Sequence, residues 1–197
     1  MIAGGDATRY GGAPKGLLEV GGRRILDRVV DALHEATGQL PLLVANDPAA
    51  ADWRPDLAVQ ADEEPGLGSL GGILTAVQRL GPCLCVAWDM PFVPAALLKE
   101  LSGLLASADA VVPESGSRLG LEPLCAAYGP GCVPAIRRAL ARGDRRAAGF
   151  HDGITLTRLP LRSVLQYGEP EVIFFNVNSP ADLSRAESLC RVPGSSR

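Results

Sequence analysis

Cys83-Leu84-Cys85-Val86-Ala87-Trp88-Asp89-Met90-Pro91-Phe92 is an unbroken apolar run that ends on an acid and then a proline. Its length is that of a strand. Its lack of polar alternation marks a strand covered on both faces, as in a parallel sheet. Helical patterns flank it: Ile73 to Leu80 reads as a helix before it, and Pro94 to Ala106 as one after it, with Pro94 in the first turn. The alternation continues toward both ends. Arg24 to Ala36 places Ile25, Leu26, Val29, Val30 and Leu33 on one helical face, and Gly38 stops it. Leu42 to Ala45 reads as a strand closed by the turn Asn46-Asp47-Pro48, and Leu57 to Gln60 as a second ending near Asp62. Ala110 to Val112, Leu124 to Tyr128 and Val172 to Phe175 are further strand candidates. Gly131 to Arg142 and Pro180 to Cys190 are the remaining helices. This is the spacing of βαβ units, so the expected fold is α/β: a three-layer, mostly parallel, Rossmann-like sheet. One domain is expected over residues 1–190, with 191–197 a disordered tail.

Composition removes several classes of function. The 197 residues are nearly half apolar and 21% charged, which suits a folded globule. Mean hydropathy is +0.14, yet no run of eighteen apolar residues exists to span a bilayer. A net charge of −3 argues against general nucleic-acid binding. The chain opens Met1-Ile2-Ala3-Gly4-Gly5, without the basic and apolar regions of a leader peptide. The odd set of 5 cysteines has no framework or metal spacing, so a reduced, cytoplasmic chain is expected. Nearly all cations are arginine; the lysines are Lys15 and Lys99.

In open α/β sheets ligands bind beyond the carboxyl ends of strands. The polar clusters fall there: Gly4 to Lys15, Asn46, Asp62 to Gly72, and Asp89 to Pro91. In the first, Gly4, Gly5, Gly11 and Gly12 let backbone N–H groups approach an anion, and Arg9 and Lys15 add positive charge. Nucleotidyl transfer needs such neutralisation in its transition state, although a solvated glycine loop accounts for the composition equally well. It is not a Walker A loop, because Gly16-Leu17 follows Lys15. Asp89 offers the single carboxylate that Mg²⁺ takes together with water and phosphate, and it stands too far before Pro94 to cap that helix. The glycines between Asp62 and Ile73 suit close contact with a flat base, or a plain connecting loop. Ser179 and Pro180 read as a helix cap and first residue, with Asp182 completing a capping box; Asn176 and Asn178 gain no reason from capping. Arg145 and Arg146 suit bidentate capture of a phosphate, or a solvated helix end.

Ile2-Ala3-Gly4-Gly5 followed by Arg9, Gly11 and Lys15 resembles the signature of the MobA-like NTP transferases, members of the nucleotide-diphosphosugar transferase folds. Asp89-Met90-Pro91-Phe92 is similar to that family's magnesium-binding segment. Gly66 to Gly72 resembles its Gly-Pro-Leu-Ala-Gly loop, with Ser69 and Gly71 replacing Pro and Ala. Phe174 to Asp182 looks like the Phe-x-Asn-x-Asn-(Ser/Thr)-Pro-x-Asp segment of molybdenum cofactor guanylyltransferases, and Gly143-Asp144-Arg145-Arg146 like their Gly-Glu-Arg-Arg. The similar segments run from Ile2 to about Leu189 in the family's order. What the resemblance implies is Mg²⁺-dependent transfer of GMP from GTP to the phosphate of molybdopterin, giving the guanine dinucleotide cofactor and pyrophosphate. It assigns Arg9, Lys15 and Asp89 to catalysis and Asp89 to the metal. It assigns Ile2, Ala3, Gly4, Gly5, Lys15, Asn46, Asp62, Gly68 and Asp89 to the nucleotide, and Arg145, Arg146, Asn176 and Asn178 to the acceptor. Proteins that deliver the cofactor, and molybdoenzymes that accept it, are the implied partners; no nucleic acid or membrane is.

Two departures stand out. The family's first strand has several apolar residues before the glycine loop, whereas Met1 and Ile2 stand alone here, so a start upstream of Met1 is expected. Leu121-Glu122-Pro123 places an acid where the family more often shows Gln or His, and an unpaired acid repels an anionic acceptor. On the residues alone, a cytidylyltransferase for the same cofactor, a sugar-phosphate nucleotidylyltransferase and a catalytically silent nucleotide-binding module remain open. The two histidines, His34 and His151, have no partner that suggests a general base.

Overall fold

The computed structural model describes residues 1–3, 14–63 and 66–191. Strand β1 (Ile2–Ala3) pairs in parallel with β4 (Leu43–Ala45), which pairs in parallel with β5 (Val59–Gln60). On the other side of β1 lies β6 (Cys83–Val86), joined to it by a parallel bridge between Ile2 and Ala87. Then follow β8 (Cys125–Tyr128), β7 (Ala110–Pro113) and β9 (Leu156–Leu159). β7 and β9 are parallel, while β8 runs antiparallel to both neighbours. The order is therefore β5-β4-β1-β6-β8-β7-β9, the mostly parallel sheet that the sequence predicts. β8 reverses because no crossover helix separates it from β7; the intervening chain turns back through a bridge between Glu114 and Leu121.

The strands read as continuous apolar runs because both faces are covered. Leu43, Ala45, Leu84, Val86, Val111, Cys125 and Ala127 join one core. Their neighbours Val44, Cys85, Ala110, Val112, Ala126 and Tyr128 join another. The first core is closed by α1 (Ile25–Thr37) and α4 (Ala95–Leu104), the second by α3 (Gly68–Leu80) and α5 (Val133–Ala141). The predicted face of α1 is the buried one, and Gly38 ends the helix at φ 72°, its N–H donating to the His34 carbonyl at 2.7 Å. The last helix, α8 (Pro180–Cys190), is capped by Ser179 as predicted. Asp182 Oδ2, however, accepts from the Ser179 hydroxyl at 2.8 Å and from the Asn178 N–H at 3.0 Å, one residue before the Ser179 N–H that a capping box takes.

Two expectations about local structure are corrected. The glycine segment before Ile73 is not a loop: α3 starts at Gly68, because Leu70, Ile73, Leu74 and Val77 bury at helical spacing. Gly72 is there for close packing, since a Cβ on it would stand 2.8 Å from Ile2 Cγ2. Val172 to Phe175 is not a strand: Glu169 and Pro170 open a short helix, α7 (Pro170–Ile173), with Pro170 in its first turn. A four-residue apolar run does not separate a strand from one helical turn. The sheet position is taken instead by β9, whose mixed Leu156-Thr157-Arg158-Leu159 gave little apolar signal. Short elements also went unpredicted: a hairpin of β2 (Glu19–Val20) and β3 (Arg23–Arg24) turns on Gly21 and Gly22 at φ 60° and 71°, as a two-residue turn of that hand requires. The helical turns α2 (Ala50–Trp53) and α6 (Leu161–Val164) are the others. Of the expected tail, 192–197 lies outside the described residues.

His151, in the turn before β9, is buried against Phe150, and among the described residues its Nε2 has no hydrogen-bond partner. Burial pushes its pKa from 6.5 down to about 4. The unfolded chain therefore binds a proton that the folded one refuses, and stability falls as pH drops from about 6.5 toward 4. Urea unfolding at pH 7 and pH 4.5 tests this. His151→Leu is expected to match the parent at pH 7 and to keep on the order of 2 kcal/mol more of that stability at pH 4.5.

Candidate active site

β1, β4, β5 and β6 all point their carboxyl ends to one edge, and the expected site residues collect there. Beyond β6 the chain is held on both sides: Ala87 N–H donates to the Leu124 carbonyl at 2.8 Å, and Trp88 N–H to the Ile2 carbonyl at 3.1 Å. Trp88 stacks on Trp53, ring centroids 4.8 Å apart. Lys15 starts a single helical turn, Lys15–Leu17, behind Pro14. Gly16 lies flat on the Trp88 ring, and any side chain there would overlap it. Glycine at 16 thus presses the Lys15 turn against the residue preceding Asp89.

The third component arrives from the other end of the sequence. Val177 N–H donates to the Asp89 carbonyl at 2.9 Å, and Lys15 Nζ donates to Asn178 Oδ1 at 2.8 Å. Lys15 and Asp89 are 7% and 8% exposed. Burial raises the Asp89 pKa from 3.8 to about 6, against the opposing charge of Lys15 and a backbone hydrogen bond. Among the described residues Asp89 has no salt bridge. A buried carboxylate so poorly compensated is a fit for a cation. Among the described residues no group of three or more His, Cys, Asp or Glu is placed to hold a metal ion by itself. A Mg²⁺ ion held by Asp89 would then take its other ligands from phosphate and water.

Asn46 and Asp62, after β4 and β5, form a second cluster. Asn46 Nδ2 donates to Asp62 Oδ2 at 2.9 Å, and Asp62 N–H to Asn46 Oδ1 at 2.8 Å. Thr75 Oγ1, buried in α3, donates to Asp62 Oδ1 at 3.1 Å. A threonine inside a helix carries no sequence signal for this role. Gly71 sits over the cluster, its Cβ position 3.6 Å from Asp62 Oδ2. Gly68 takes φ +65° and faces the Arg145 carbonyl, 3.5 Å from its Cβ position, so the expected nucleotide and acceptor segments meet.

The remaining expectations divide. Ile2 is core, and Ala3 continues β1 half-buried, so contact with a nucleotide by Ile2 would come from its backbone. Gly4, Gly5 and Arg9 lie outside the described residues. Asn178 holds Lys15, whereas Asn176 Nδ2 donates to the Phe174 carbonyl and lines a separate cleft. Arg146 is bound by Asp144 at 2.7 Å with its side chain 83% exposed, and that pairing lowers the Asp144 pKa to about 2. The cleft beside Asn176 also contains Ser115, Glu122, Phe175 and Arg185. Of these, Ser115 and Arg185 drew no notice in the sequence.

The sequence profile of the MobA-like NTP transferase domain matches residues 1–156. The chain belongs to that family. The molybdenum cofactor guanylyltransferase of Rhodopseudomonas palustris is 34% identical over 198 residues, covering 96% of this chain and 90% of that one. The molybdenum cofactor guanylyltransferase of Desulfosudis oleivorans is 32% identical over 199 residues, covering 97% and 94%. Among solved structures, molybdopterin-guanine dinucleotide biosynthesis protein A from Archaeoglobus fulgidus superposes with a TM-score of 0.81 at 27% identity, over 96% of each chain. The 4-diphosphocytidyl-2C-methyl-D-erythritol synthase of Anaerococcus prevotii shares the fold, with a TM-score of 0.69 at 15% identity. The MobA-like NTP transferase fold is therefore the fold seen here.

The bond from Asn178 to Lys15 orients a buried ammonium and is not needed to build the sheet. Asn178→Ala is expected to lower nucleotidyl-transfer kcat by about 10- to 100-fold, with the melting temperature within about 3 °C of the parent. Steady-state kinetics beside a thermal melt would check both halves.

Proposed function

We propose that the protein transfers GMP from GTP to the phosphate of molybdopterin, forming the molybdopterin guanine dinucleotide cofactor and pyrophosphate. The observation that carries this is the meeting of Lys15, Asp89 and Asn178 at one sheet edge, from three segments distant in sequence. The full-length similarity to molybdenum cofactor guanylyltransferases supplies the base and the acceptor.

The acceptor's phosphate oxygen attacks the α-phosphorus of GTP. A new P–O–P bond forms while the bond from the α-phosphorus to the bridging oxygen breaks, and pyrophosphate carries that electron pair away. A phosphate monoester, with a second pKa near 6, is already dianionic at neutral pH, so no general base is needed. Lys15 donates to phosphate oxygens as charge builds on the leaving group. Asn178 fixes the direction of that ammonium. Asp89 would hold Mg²⁺, which when bound neutralises phosphate oxygens as a Lewis acid. The Asn46–Asp62–Thr75 cluster, under Gly71, stiffens the edge on which the nucleoside rests. A cytoplasmic setting, with GTP and Mg²⁺ to hand, suits a chain whose cysteines are all free thiols. Among the described residues no helix is long and apolar enough to cross a membrane.

Pyrophosphate release with Mg²⁺, each of the four NTPs, and either molybdopterin or a panel of sugar phosphates tests the reading. Release with GTP and molybdopterin alone is expected, and it should stop on chelation of the metal. Release with CTP, or with a sugar phosphate, would overturn the base or the acceptor. Lys15→Ala is expected to lower turnover by about 10²–10³-fold while the protein stays folded.

A further inference from the structure

A cleft of about 280 Å³ opens beside Asn176, with Ser115, Glu122, Glu171, Phe175 and Arg185 on its walls. It adjoins the reacting centre. Asn176 is two residues from Asn178, which holds Lys15, and Val177 between them is bonded to Asp89, so at most about 7 Å of backbone separates the two. Glu122 is held firmly. Its N–H donates to the Pro113 carbonyl, and its own carbonyl accepts from Cys125 N–H, each at 3.0 Å. Its Oε1 accepts from Ser115 Oγ at 2.7 Å, and among the described residues no other hydrogen bond to its carboxylate meets normal geometry. Burial raises its pKa, with the Ser115 and Ser117 hydroxyls opposing. Also lining the cleft, the Arg185 guanidinium lies 5.2 Å from the centroid of the Phe175 ring. The walls thus offer flat surfaces and two carboxylates against one guanidinium, an environment hostile to a phosphate and suited to a planar ring rich in N–H donors.

We propose that this cleft seats the pterin ring of the acceptor, with the Glu122 carboxylate accepting the N3–H and 2-amino hydrogens of its pyrimidine edge. The assignment rests on molybdopterin being the acceptor. A 2-amino-4-oxo-pyrimidine presents two neighbouring N–H donors, and a carboxylate is the side chain that accepts both at once; the lone pairs left by Ser115 suffice. The acid that looked repulsive in the sequence then sets direction: the ring end goes to Glu122, and the phosphate end goes to Lys15. The cleft volume lies at the small end of ligand pockets, in keeping with one ring system rather than a whole nucleotide.

Free pterin and lumazine, the same bicycle with the 2-amino group replaced by an oxo group, are the probes. Each is titrated calorimetrically into the full chain, with and without GTP, and tested as an inhibitor of pyrophosphate release. Pterin is expected to bind at least about 10-fold more tightly than lumazine and to compete with molybdopterin but not with GTP. Glu122→Gln, near in shape and still able to accept from Ser115, is expected to erase that preference. It should raise the KM for molybdopterin about 10-fold and leave the KM for GTP unchanged. Phe175→Leu, which removes an aromatic surface from the same cleft, is expected to weaken both probes alike. Pterin that competes with GTP occupies the guanine site and overturns the proposal, as does Glu122→Gln with an unchanged pterin preference. If the parent protein releases no pyrophosphate with molybdopterin, the proposed reaction fails. The calorimetric comparison still decides the cleft, so the two failures are distinguishable.

Discussion

The hydrogen bond from Trp88 N–H to the Ile2 carbonyl is the joint on which the molecule turns. Through it, and the bridge from Ile2 to Ala87, the β5-β4-β1 half of the sheet meets the half that begins at β6. β1 contributes two residues, yet it lies between the strands that carry the site. Met1 accepts from Val44, Ile2 accepts from Trp88, and Gly72 gives up its side chain so that α3 can lie against Ile2. The segments after β4, β5 and β6 are in register with one another because each strand is indexed, directly or through a neighbour, to this short central one. A shift of one residue there would exchange the two buried faces and move Asp89 away from Lys15.

The site itself opposes the stability of the fold. The folded-state pKa of Asp89, about 6, lies above its ordinary value of 3.8, so its ionised form is disfavoured by folding and stability declines as pH rises through that window. Lys15 is buried as deeply and is satisfied by a neutral amide rather than by an acid. A tight ion pair between the two would cure both penalties and would also cancel the charges a triphosphate and its metal need. Asn178 keeps the ammonium oriented without neutralising it. Buried charges left without an ion-pair partner are what make such a site ready to bind oppositely charged groups.

Glu122 shows how position decides the sign of an electrostatic argument. As one letter in a sequence it is an acid near an anionic substrate, and so an obstacle. In the structure it faces a cleft with Arg185 and Phe175, set back from the phosphate chemistry by the width of the 176–178 segment. Arg146 makes the converse point. A paired arginine motif suggests phosphate capture, yet Asp144 already holds the guanidinium at the surface.

The sequence by itself determined the layered α/β fold, the buried face of α1, the Ser179 cap, and the sheet edge where chemistry collects. Each depends on a local property: apolar period, a capping hydroxyl, a glycine where the chain must bend, an acid closing a strand. It misjudged Val172 to Phe175 and the start of α3, where a few apolar residues or glycines fit two conformations and packing chooses between them. β9 was invisible because an edge strand buried on one side needs little apolar signal. Only the tertiary structure brought Asn178 to Lys15 and Thr75 to Asp62, and only it showed Gly16 to be a packing residue against Trp88. Those pairings join residues up to 163 positions apart. Hydrogen-bonding groups so far apart in the chain leave no periodic trace, because what matches them is the register of the sheet between them and not their spacing in sequence.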